Sequence, residues 1–278
     1  MRICYLLGFP VSHSISAVMQ NAAFTALGID CVYRLRQVRP EDLAEAVNEL
    51  RSPSVLGANA TIPHKVGLTS LLDELDTFAQ TVGAVNTIVN HGGWLKGHNT
   101  DGPAALRAMR EALGDLGGSR VVLLGAGGAA RSVAHVLTEN SAKLTILNRD
   151  REKAGKLVLQ LRGACADLES GGLDSLGKAL ATADILVNAT PVGMAPNIGA
   201  TPVDSRLLHE GLLVFDLVYN PVKTRLLTEA EMAGAKTLSG VEMLVYQGAE
   251  AFRLWTGREP PEAVMMNAVR EALGGKKP

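Results

Sequence analysis

The sequence is short of aromatic residues and has no excess of either charge. Phenylalanine, tryptophan and tyrosine together make up 4% of its 278 residues. Lysine and arginine number 27, and aspartate and glutamate 28, so the formal net charge is -1. Proteins that bind nucleic acids usually carry a clear excess of positive charge, so this balance argues against such a partner. No apolar run approaches the roughly 20 residues of a transmembrane helix, and we expect no membrane partner either.

Cysteine is scarce as well. The three cysteines, Cys4, Cys31 and Cys165, are odd in number and widely spaced, and no two form a C-x-x-C pair. This spacing argues against a disulfide framework and against a zinc site. No pair of histidines has H-x-x-x-H spacing, so we predict no metal. The N-terminal apolar run is too short for a signal peptide, and we expect a soluble cytoplasmic protein.

Hydrophobic residues and glycine, by contrast, are abundant. Hydrophobic residues make up 47% of the chain, which is enough for real cores, and glycine numbers 29. An excess of glycine without low complexity indicates tight turns, or backbone that approaches a ligand closely. Because domains usually hold roughly 100–200 residues, the length favours two domains over one.

Short apolar runs alternate with helical patterns over the first part of the chain. We predict strands over residues 3–7, 32–35 and 56–61 and helices over residues 16–27 and 41–50. A further helix is predicted from His64, with Pro63 suited to its first position. Residues 86–90 and 94–97 flank His91-Gly92-Gly93 and predict a β-hairpin. This alternation predicts an α/β fold with a mainly parallel sheet.

A glycine-rich turn follows the strand predicted over residues 120–124. Gly125-Ala126-Gly127-Gly128-Ala129-Ala130 matches G-x-G-x-x-A between that strand and a helix predicted to end near Asn140. The first glycine permits a tight turn, and the second lets backbone N–H groups reach a pyrophosphate. The pattern predicts a dinucleotide-binding site, although an ordinary tight turn between strand and helix also fits it.

The residues after the next predicted strand, 143–147, bear on the choice of cofactor. The sequence there is Asn148-Arg149-Asp150-Arg151, with Lys153 close behind. A guanidinium binds a phosphate through two hydrogen bonds, so these residues favour NADP with its 2′-phosphate. An inward-facing Asp150 would instead repel that phosphate and accept a ribose hydroxyl. Some of these charges also fit the solvated start of a helix.

Polar residues also follow the predicted strands of the first half. Ser14 and Ser16 lie between the first strand and the first helix, where hydroxyls can bind an anionic or hydroxylated ligand. Lys65 follows the third strand, and a surface position is the plainer interpretation of this lysine. Asp101 can serve as a helix cap or as the carboxylate partner of Lys65. Asn86 joins this neighbourhood if the strands are adjacent.

Taken together, these motifs resemble those of the shikimate dehydrogenase family, and the resemblance covers nearly the whole chain. Three of them read N-A-T-I-P-H-K, G-A-V-N-T and N-T-D-G, in that order. The matching segments lie at residues 8–16, 59–65, 83–87, 99–102, 125–131, 148–149, 188–194, 216–221 and 240–247. So many motifs in the same order are not expected by chance.

The resemblance implies two α/β domains with a cleft between them. Residues 1–102 and 240–278 would form a substrate-binding and catalytic domain with a mainly parallel sheet. Residues 103–239 would form a Rossmann-type domain that binds NADP. The implied reaction is the reversible reduction of 3-dehydroshikimate to shikimate by NADPH, a step of aromatic amino acid biosynthesis.

The resemblance also assigns roles to residues. It implies Lys65 and Asp101 as catalytic residues, with Lys65 as proton donor and acceptor. The implied substrate-binding residues are Ser14, Ser16, Asn59, Thr61, Lys65, Asn86, Asp101, Tyr219 and Gln247. The implied cofactor-binding residues are Gly125, Ala126, Gly127, Gly128, Ala129, Asn148, Arg149, Asp150, Arg151, Lys153, Thr190, Leu217 and Gly240.

The chain departs from the family pattern at several positions, and two alternatives stay open. Asp150 stands where NADP-specific members often have threonine, so an NAD-using quinate/shikimate dehydrogenase is one alternative. Ala17 and Gln20 stand where proline and histidine are common. A non-catalytic nucleotide-sensing relative that keeps the fold is the other alternative. Whether the protein is a monomer or a homodimer is left open.

Overall fold

The computed structural model describes residues 1–140, 142–161 and 167–274, so Cys165 lies outside the described residues. The chain divides into two compact units. The first holds Met1–Asp101 together with the chain from Leu244 onward, and the second holds Gly102–Met243. Each unit contains a six-stranded sheet. In the part of the chain that the structure describes, no helix is long and apolar enough to cross a membrane.

The first unit is an α/β unit whose sheet combines parallel strands with one hairpin. Its strands are β1 Arg2–Gly8, β2 Cys31–Gln37, β3 Val55–Ala60, β4 Glu74–Leu75, β5 Thr87–His91 and β6 Trp94–His98. Their order in the sheet is β2-β1-β3-β5-β6-β4. β1 is parallel to β2 and β3, whereas β5 is antiparallel to β3 and β6. The predicted hairpin is therefore confirmed.

Helices cover this sheet through apolar faces of helical period. They are α1 Ser16–Ala26, α2 Leu43–Glu49, α3 Thr77–Val82, most of α9 Gly240–Thr256, and α10 Glu262–Ala272. In α2 the buried residues are Leu43, Ala46 and Val47, which share one face because they are three and four positions apart. They join one core cluster with Leu7 of β1 and Val55 of β3.

The helix predicted from His64 is wrong. The structure has turns there and only a short 3₁₀ helix at Gly67–Ser70. The carbonyl of Lys65 accepts a hydrogen bond of 2.8 Å from the N–H of Val85, and the His64 ring bonds to the carbonyl of Val38 at 2.7 Å. The Lys65 carbonyl thus accepts from a distant segment, whereas in a helix it would accept from the N–H of Thr69, which here bonds to Val66.

The C-terminal helix α9 is fixed to the first sheet by a tryptophan. The indole Nε1 of Trp255 donates a hydrogen bond of 2.9 Å to the carbonyl of Ile88 in β5. Gly57 in β3 makes room for this contact, since a Cβ there would lie 2.0 Å from that carbonyl oxygen. The rings of Phe24 in α1 and Phe252 in α9 also pack together, with centroids 5.2 Å apart. The first unit is therefore completed by the end of the chain.

The second unit has the strand order of a Rossmann fold. Its strands are β7 Arg120–Leu124, β8 Lys143–Leu147, β9 Leu168–Gly171, β10 Ile185–Asn188, β11 Leu213–Asp216 and β12 Lys236–Leu238. All pairs are parallel in the order β9-β8-β7-β10-β11-β12, which is the doubly wound arrangement that binds dinucleotides. The accompanying helices are α4 Asp101–Leu113, of which only Asp101 belongs to the first unit, α5 Gly128–Glu139, α6 Arg151–Leu161, α7 Leu176–Leu180 and α8 Arg225–Met232.

The central strands of this sheet are buried on both faces. β10 and β11 are buried at every position, and β7 at every position but its first. Strands buried on both faces read as continuous apolar runs, which is why the sequence located β7 to the residue. The order reverses between β7 and β10, and a crevice for a dinucleotide lies at such a switch point.

Candidate active site

A largely buried ion pair forms the centre of the polar cluster in the first unit. Lys65 lies in the turn after β3, and Asp101 is the first residue of α4. The Nζ of Lys65 lies 2.5 Å from Oδ2 of Asp101. The two side chains are only 15% and 5% exposed, so little water screens the pair. The predicted proximity of Asp101 to Lys65 is confirmed.

Asn86 binds the other oxygen of the same carboxylate. Its Nδ2 donates to Oδ1 of Asp101 and to the hydroxyl of Thr100, both at 2.9 Å, and lies 3.4 Å from Oε1 of Gln247. Its Oδ1 accepts a hydrogen bond of 2.7 Å from the backbone N–H of Thr100. Because that N–H can only donate, it fixes the amide with its nitrogen towards Asp101. The carboxylate is thus held from both sides.

Thr100 connects this cluster to α9. Its hydroxyl donates a hydrogen bond of 3.0 Å to the backbone carbonyl of Gln247, while it accepts from Asn86. The Nε2 of Gln247 bonds to the carbonyl of Leu244 in its own helix at 2.7 Å. Thr100 is 3% exposed, so its hydroxyl acts inside the protein. The residue therefore links the Asn86 amide to the helix that carries Gln247.

Asn59 lies behind this cluster rather than at its surface. It is 5% exposed, and its Oδ1 accepts a hydrogen bond of 2.8 Å from the hydroxyl of Tyr33. Its Nδ2 donates to the carbonyl of Asn86 and to the hydroxyl of Thr87, at 3.1 and 3.0 Å. Both amide hydrogens are engaged within the protein. A direct contact between Asn59 and substrate stays a prediction.

The hydroxyl residues predicted to bind the substrate occupy two neighbouring turns. The hydroxyl of Ser14 donates to that of Ser16 at 3.1 Å, and Ser16 begins α1. Thr61 follows β3, and its methyl carbon would lie 2.4 Å from a Cβ at Gly8, so glycine permits this close approach. Within the described chain, the hydroxyl of Thr61 forms no hydrogen bond. These side chains keep hydrogen-bonding capacity for a ligand.

The predicted glycine turn of the second unit has the shape of a phosphate site. Gly125 adopts a φ of +112°, in the region that favours glycine, and its N–H donates to the carbonyl of Leu147 at 2.9 Å. Gly127 precedes α5, and a Cβ there would meet nothing within 4 Å. Ala126 lies between them, while Gly128 and Ala129 open the helix. The first N–H groups of a helix have no partner within the helix, and the open space beside Gly127 fits a dinucleotide's pyrophosphate.

The charged residues after β8 do not all face the same way. The Oδ1 of Asp150 accepts hydrogen bonds from the N–H groups of Glu152 and Lys153 at 3.1 and 3.4 Å. Asp150 therefore caps α6, as a carboxylate at a helix start commonly does. Its Oδ2 also lies 3.7 Å from Nζ of Lys153. The amide of Asn148 bonds to the Asp150 carbonyl at 3.0 Å.

The two arginines of this segment differ in their partners. Arg151 pairs with Asp174 at 2.6 Å. Arg149 is exposed, and among the described residues it has no partner. Arg149 is thus the arginine that is available to a phosphate.

The loops after β10 and β11 are tied together by a buried carboxylate. Thr190 donates to Oδ1 of Asn188 through both its N–H and its hydroxyl, at 3.1 and 2.7 Å. Asn188 in turn donates to Asp216 at 2.9 Å. At the start of α9, Gly240 lies against Leu217, since a Cβ there would lie 2.4 Å from the Leu217 carbonyl oxygen. Tyr219 is half-buried two residues further along the same loop.

Sequence reasoning did not assign a role to several of these residues. Thr100, Thr87, Asn188, Asp216 and Thr224 are all buried, and each bonds to a predicted site residue or to a neighbour of one. Asn188 and Asp216 did leave a trace, because each is the polar last residue of an otherwise apolar strand. Among the described residues, no group of three or more His, Cys, Asp or Glu side chains is placed to hold a metal.

The sequence of this chain matches models of known protein families. Three family models match the chain: Shikimate dehydrogenase substrate binding domain at residues 6–88, Shikimate / quinate 5-dehydrogenase at residues 107–219, and Shikimate 5'-dehydrogenase C-terminal domain at residues 240–270. The chain belongs to the shikimate dehydrogenase family. The NADP-dependent shikimate dehydrogenase of Methanosarcina acetivorans is 47% identical over 276 residues, which cover 98% of this chain and 99% of that protein.

Solved structures of the family have the same fold. A crystal structure of a shikimate dehydrogenase in complex with NADP+ has a TM-score of 0.93 and 42% identity, over 98% of this chain and 96% of that one. The enzyme from Thermus thermophilus, in complex with NADP(H) and shikimate, has a TM-score of 0.87 and 37% identity, over 98% of this chain and 100% of that one. The predicted α/β fold with a Rossmann-type domain is confirmed.

Proposed function

We propose that this chain catalyses the reversible, NADP-dependent reduction of 3-dehydroshikimate to shikimate. Membership of the family supports this activity, as do close relatives named for it. The observation that carries the proposal is the Lys65–Asp101 pair, which is largely buried and held by Asn86. A lysine in such a pair can both donate and accept a proton, which the chemistry needs in its two directions. A cytoplasmic location belongs to the same proposal and is tested by cell fractionation.

The proposed role of Lys65 is to move one proton at the reacting oxygen. When bound, the nicotinamide cofactor supplies or accepts the hydride. As a ketone carbon gains hydride, negative charge builds on its oxygen, and the Lys65 ammonium stabilises that charge and gives it a proton. Asp101 keeps Nζ in place through the 2.5 Å contact. In the reverse direction the amine of Lys65 accepts the proton of the hydroxyl.

The other polar residues of the first unit bind the substrate in this proposal. Ser14 and Ser16 take its carboxylate, and the role predicted for Tyr219 belongs to the same proposal. Thr61, Asn86 and Gln247 take ring hydroxyls, along with Asp101. The assignment of substrate to the first unit and cofactor to the second belongs to the same proposal. Support comes from the hydroxyl of Thr61, which keeps its hydrogen-bonding capacity, and from the clustered amides.

NADP is the proposed cofactor in preference to NAD. The exposed Arg149 is available to a 2′-phosphate, whereas the Asp150 carboxylate is occupied by the N–H groups at the start of α6. These two bonds engage Oδ1 of Asp150, so only Oδ2 keeps its acceptor capacity for a ribose hydroxyl, and it lies 3.7 Å from Nζ of Lys153. The glycine turn at residues 125–129 would hold the pyrophosphate, with Thr190, Leu217 and Gly240 at the other end of the cofactor.

An absorbance assay tests the proposal directly. Purified protein mixed with shikimate and NADP+ is expected to produce NADPH, which absorbs in the near ultraviolet. Parallel assays with NAD+ and with quinate address the nearest alternative, an NAD-using quinate/shikimate dehydrogenase. We expect a higher kcat/KM with NADP+ and shikimate than with any other pairing. A clear preference for NAD+ would overturn the role given to Arg149.

The same assay decides against or for a non-catalytic nucleotide sensor. Such a protein would bind NADP+ but would turn over no hydroxylated ring acid. The Lys65–Asp101 pair argues against it, because a binding protein has no use for a buried proton donor. Tight binding of NADP+ with no NADPH formed would overturn the proposed function.

A further inference from the structure

Asp216, at the end of β11, is a fully buried carboxylate without a cationic partner among the described residues. Its Oδ1 accepts hydrogen bonds from Nδ2 of Asn188 at 2.9 Å and from the N–H of Val218 at 3.1 Å. Its Oδ2 accepts from the hydroxyl of Thr224 at 2.7 Å. Burying a carboxylate is costly unless it is well hydrogen-bonded, so these three donors are what makes the position tolerable.

The donors belong mostly to loops rather than to the sheet. Val218 lies just beyond β11, and Thr224 precedes α8, where its side chain also caps the helix by accepting from Leu227. Asn188 is the last residue of β10, the neighbouring strand. Asp216 therefore joins the end of one strand to two points on the loop that follows its own strand.

Asn188 passes this connection on to the loop after β10. Its Oδ1 accepts both the N–H and the hydroxyl of Thr190, and its Nδ2 lies 3.3 Å from the carbonyl of Val192. Its backbone carbonyl accepts from the N–H of Leu217 at 3.0 Å. Each amide atom of Asn188 thus bonds to a loop, and the two loops share one buried centre.

These two loops lie at the carboxyl ends of β10 and β11. In a doubly wound fold, dinucleotides bind at those ends, and each half of the sheet takes one nucleotide. The turn after β7 and the arginines after β8 belong to the half that takes the adenosine part. The loops joined by Asp216 belong to the other half, where the nicotinamide part is expected.

We propose that Asp216 is a positioning residue for the cofactor: with Asn188, it holds the loops after β10 and β11 in the arrangement that binds the nicotinamide half. This inference rests on the proposed function, since it takes NADP as the ligand. Asp216 itself does not touch the cofactor. Its effect reaches the ligand through the backbone of Thr190 and Leu217.

Binding measurements on two ligands test this role. We compare the Kd of NADP+ with that of an adenosine fragment that carries the 2′-phosphate but lacks nicotinamide, both by calorimetry. In Asp216→Ala the loops lose their shared acceptor, and the Kd of NADP+ is expected to rise by roughly tenfold or more, because fewer molecules hold the competent arrangement. The Kd of the fragment is expected to stay within about twofold, since its half of the sheet is untouched.

Two control variants separate positioning from general damage. In Asp216→Asn the amide oxygen can keep the bonds from Asn188 and Val218, so the Kd of NADP+ should rise by no more than about threefold. In Asp184→Ala a carboxylate is lost from the opposite end of the same sheet, where it pairs with Arg120 at 2.9 Å. We expect that variant to lose stability but to keep both Kd values.

The outcomes are distinct. An unchanged Kd for NADP+ in folded Asp216→Ala, or an equal rise for NADP+ and the fragment, would overturn the proposal. If Asp216→Ala does not fold, Thr224→Val and Thr224→Ser decide, and only the valine variant should weaken NADP+ binding; equal Kd values in the two would reject it. Wild-type binding of NADP+ without turnover would instead count against the proposed function alone.

Discussion

Each unit of this protein contains an aspartate that accepts a hydrogen bond of 2.9 Å from an asparagine amide, and the two pairs do different things. In the first unit, the second oxygen of Asp101 faces the ammonium of Lys65. In the second unit, the second oxygen of Asp216 faces the hydroxyl of Thr224. The same Asp–Asn pair thus holds a charged ammonium in one place and only neutral hydrogen-bond donors in the other.

The difference lies in the third group and in access to a ligand. Lys65 is 15% exposed, so its ammonium can reach a substrate while its carboxylate partner stays inside. Every group around Asp216 is buried or lies in the backbone of a loop. A buried carboxylate becomes chemically active when its partner carries an exchangeable proton to the surface, and structural when its partners are neutral and enclosed.

The largest effect is expected from removing that ammonium. Lys65→Ala should lower kcat by about 10²–10⁴-fold, the range of general acid–base catalysis, because no other group would donate the proton. The KM for shikimate should change by only a few-fold. Steady-state kinetics with NADP+ would measure both. Lys96→Ala is the control, since Lys96 pairs with the exposed Glu74 in the same unit. Near-normal turnover in Lys65→Ala would erase the contrast between the two aspartates.

Arg149 is expected to bind the 2′-phosphate of the cofactor through its positive charge, whereas the partners of Asp216 are all neutral. Arg149→Ala should lower kcat/KM for NADPH by about 10–100-fold, the value of a charge-assisted contact to phosphate. The value for NADH should hardly change, because that cofactor has no 2′-phosphate. Arg151→Ala should have a smaller effect, since Arg151 already pairs with Asp174. Equal decreases in kcat/KM with NADPH and NADH would show that Arg149 does not bind the 2′-phosphate.

A smaller effect should follow from the neutral group that supports the first pair. Thr100→Val removes the hydroxyl that joins Asn86 to the carbonyl of Gln247. We expect kcat/KM for shikimate to fall by about threefold to tenfold, as for loss of one hydrogen bond. Thr100→Ser keeps the hydroxyl and should restore most of the activity. If serine and valine behave alike, the methyl group and not the hydroxyl matters at this position.

The smallest effect concerns stability as a function of pH. Burial raises the pKa of Asp216, although hydrogen bonds from Thr224, Val218 and Asn188 oppose the rise. The folded state therefore disfavours the ionised carboxyl relative to the unfolded chain, whose aspartate pKa is about 3.9. Below a pH of about 3.9 the protonated Asp216 carboxyl makes its full contribution to the free energy of unfolding, and this contribution is lost as the pH rises through the raised pKa of the folded state. Asp216→Asn lacks it.

Urea unfolding at a series of pH values would measure this difference. The free energy of unfolding of the wild type minus that of Asp216→Asn should fall as the pH rises from about 3 to 6. Asp76→Asn gives the opposite control. Burial acts to raise the pKa of Asp76, but the hydrogen bonds from His98 and from the N–H of Ala79 lower it overall. The free energy of unfolding of the wild type minus that of Asp76→Asn should grow over the same pH range. If the differences for Asp216→Asn and Asp76→Asn changed in the same direction with pH, the opposite pKa shifts assigned to the two aspartates would be contradicted.

The sequence was most informative where burial imposes a pattern. Buried parallel strands such as β7 and β10 read as apolar runs, and the glycine turn at residues 125–130 could be placed because its chemistry is local. The helix expected from His64 failed for the opposite reason. The Lys65 carbonyl accepts a hydrogen bond from Val85, and the His64 ring bonds to the carbonyl of Val38. Neither partner can be predicted from the local sequence pattern.

Some contacts of the site could likewise be predicted from the sequence, and others could not. The partnership of Lys65 with Asp101 was foreseeable because each residue follows a recognisable element and the two carry opposite charges. The link from Asp216 to Asn188 was not, since it crosses between strands 28 positions apart and involves no charge pairing. Likewise, the capping role of Asp150 depends on the rotamer of one exposed side chain, which a sequence does not contain.

The contact of Trp255 with β5 also affects the order in which the two units are completed during synthesis. A ribosome makes the chain from its N-terminus, and most domains fold in the order in which they emerge. Here the sheet of the first unit is made first, but α9 and α10, which cover it, are made last. The whole second unit, Gly102–Met243, emerges in between. The first unit, although its sheet is made earlier, is therefore completed after the second.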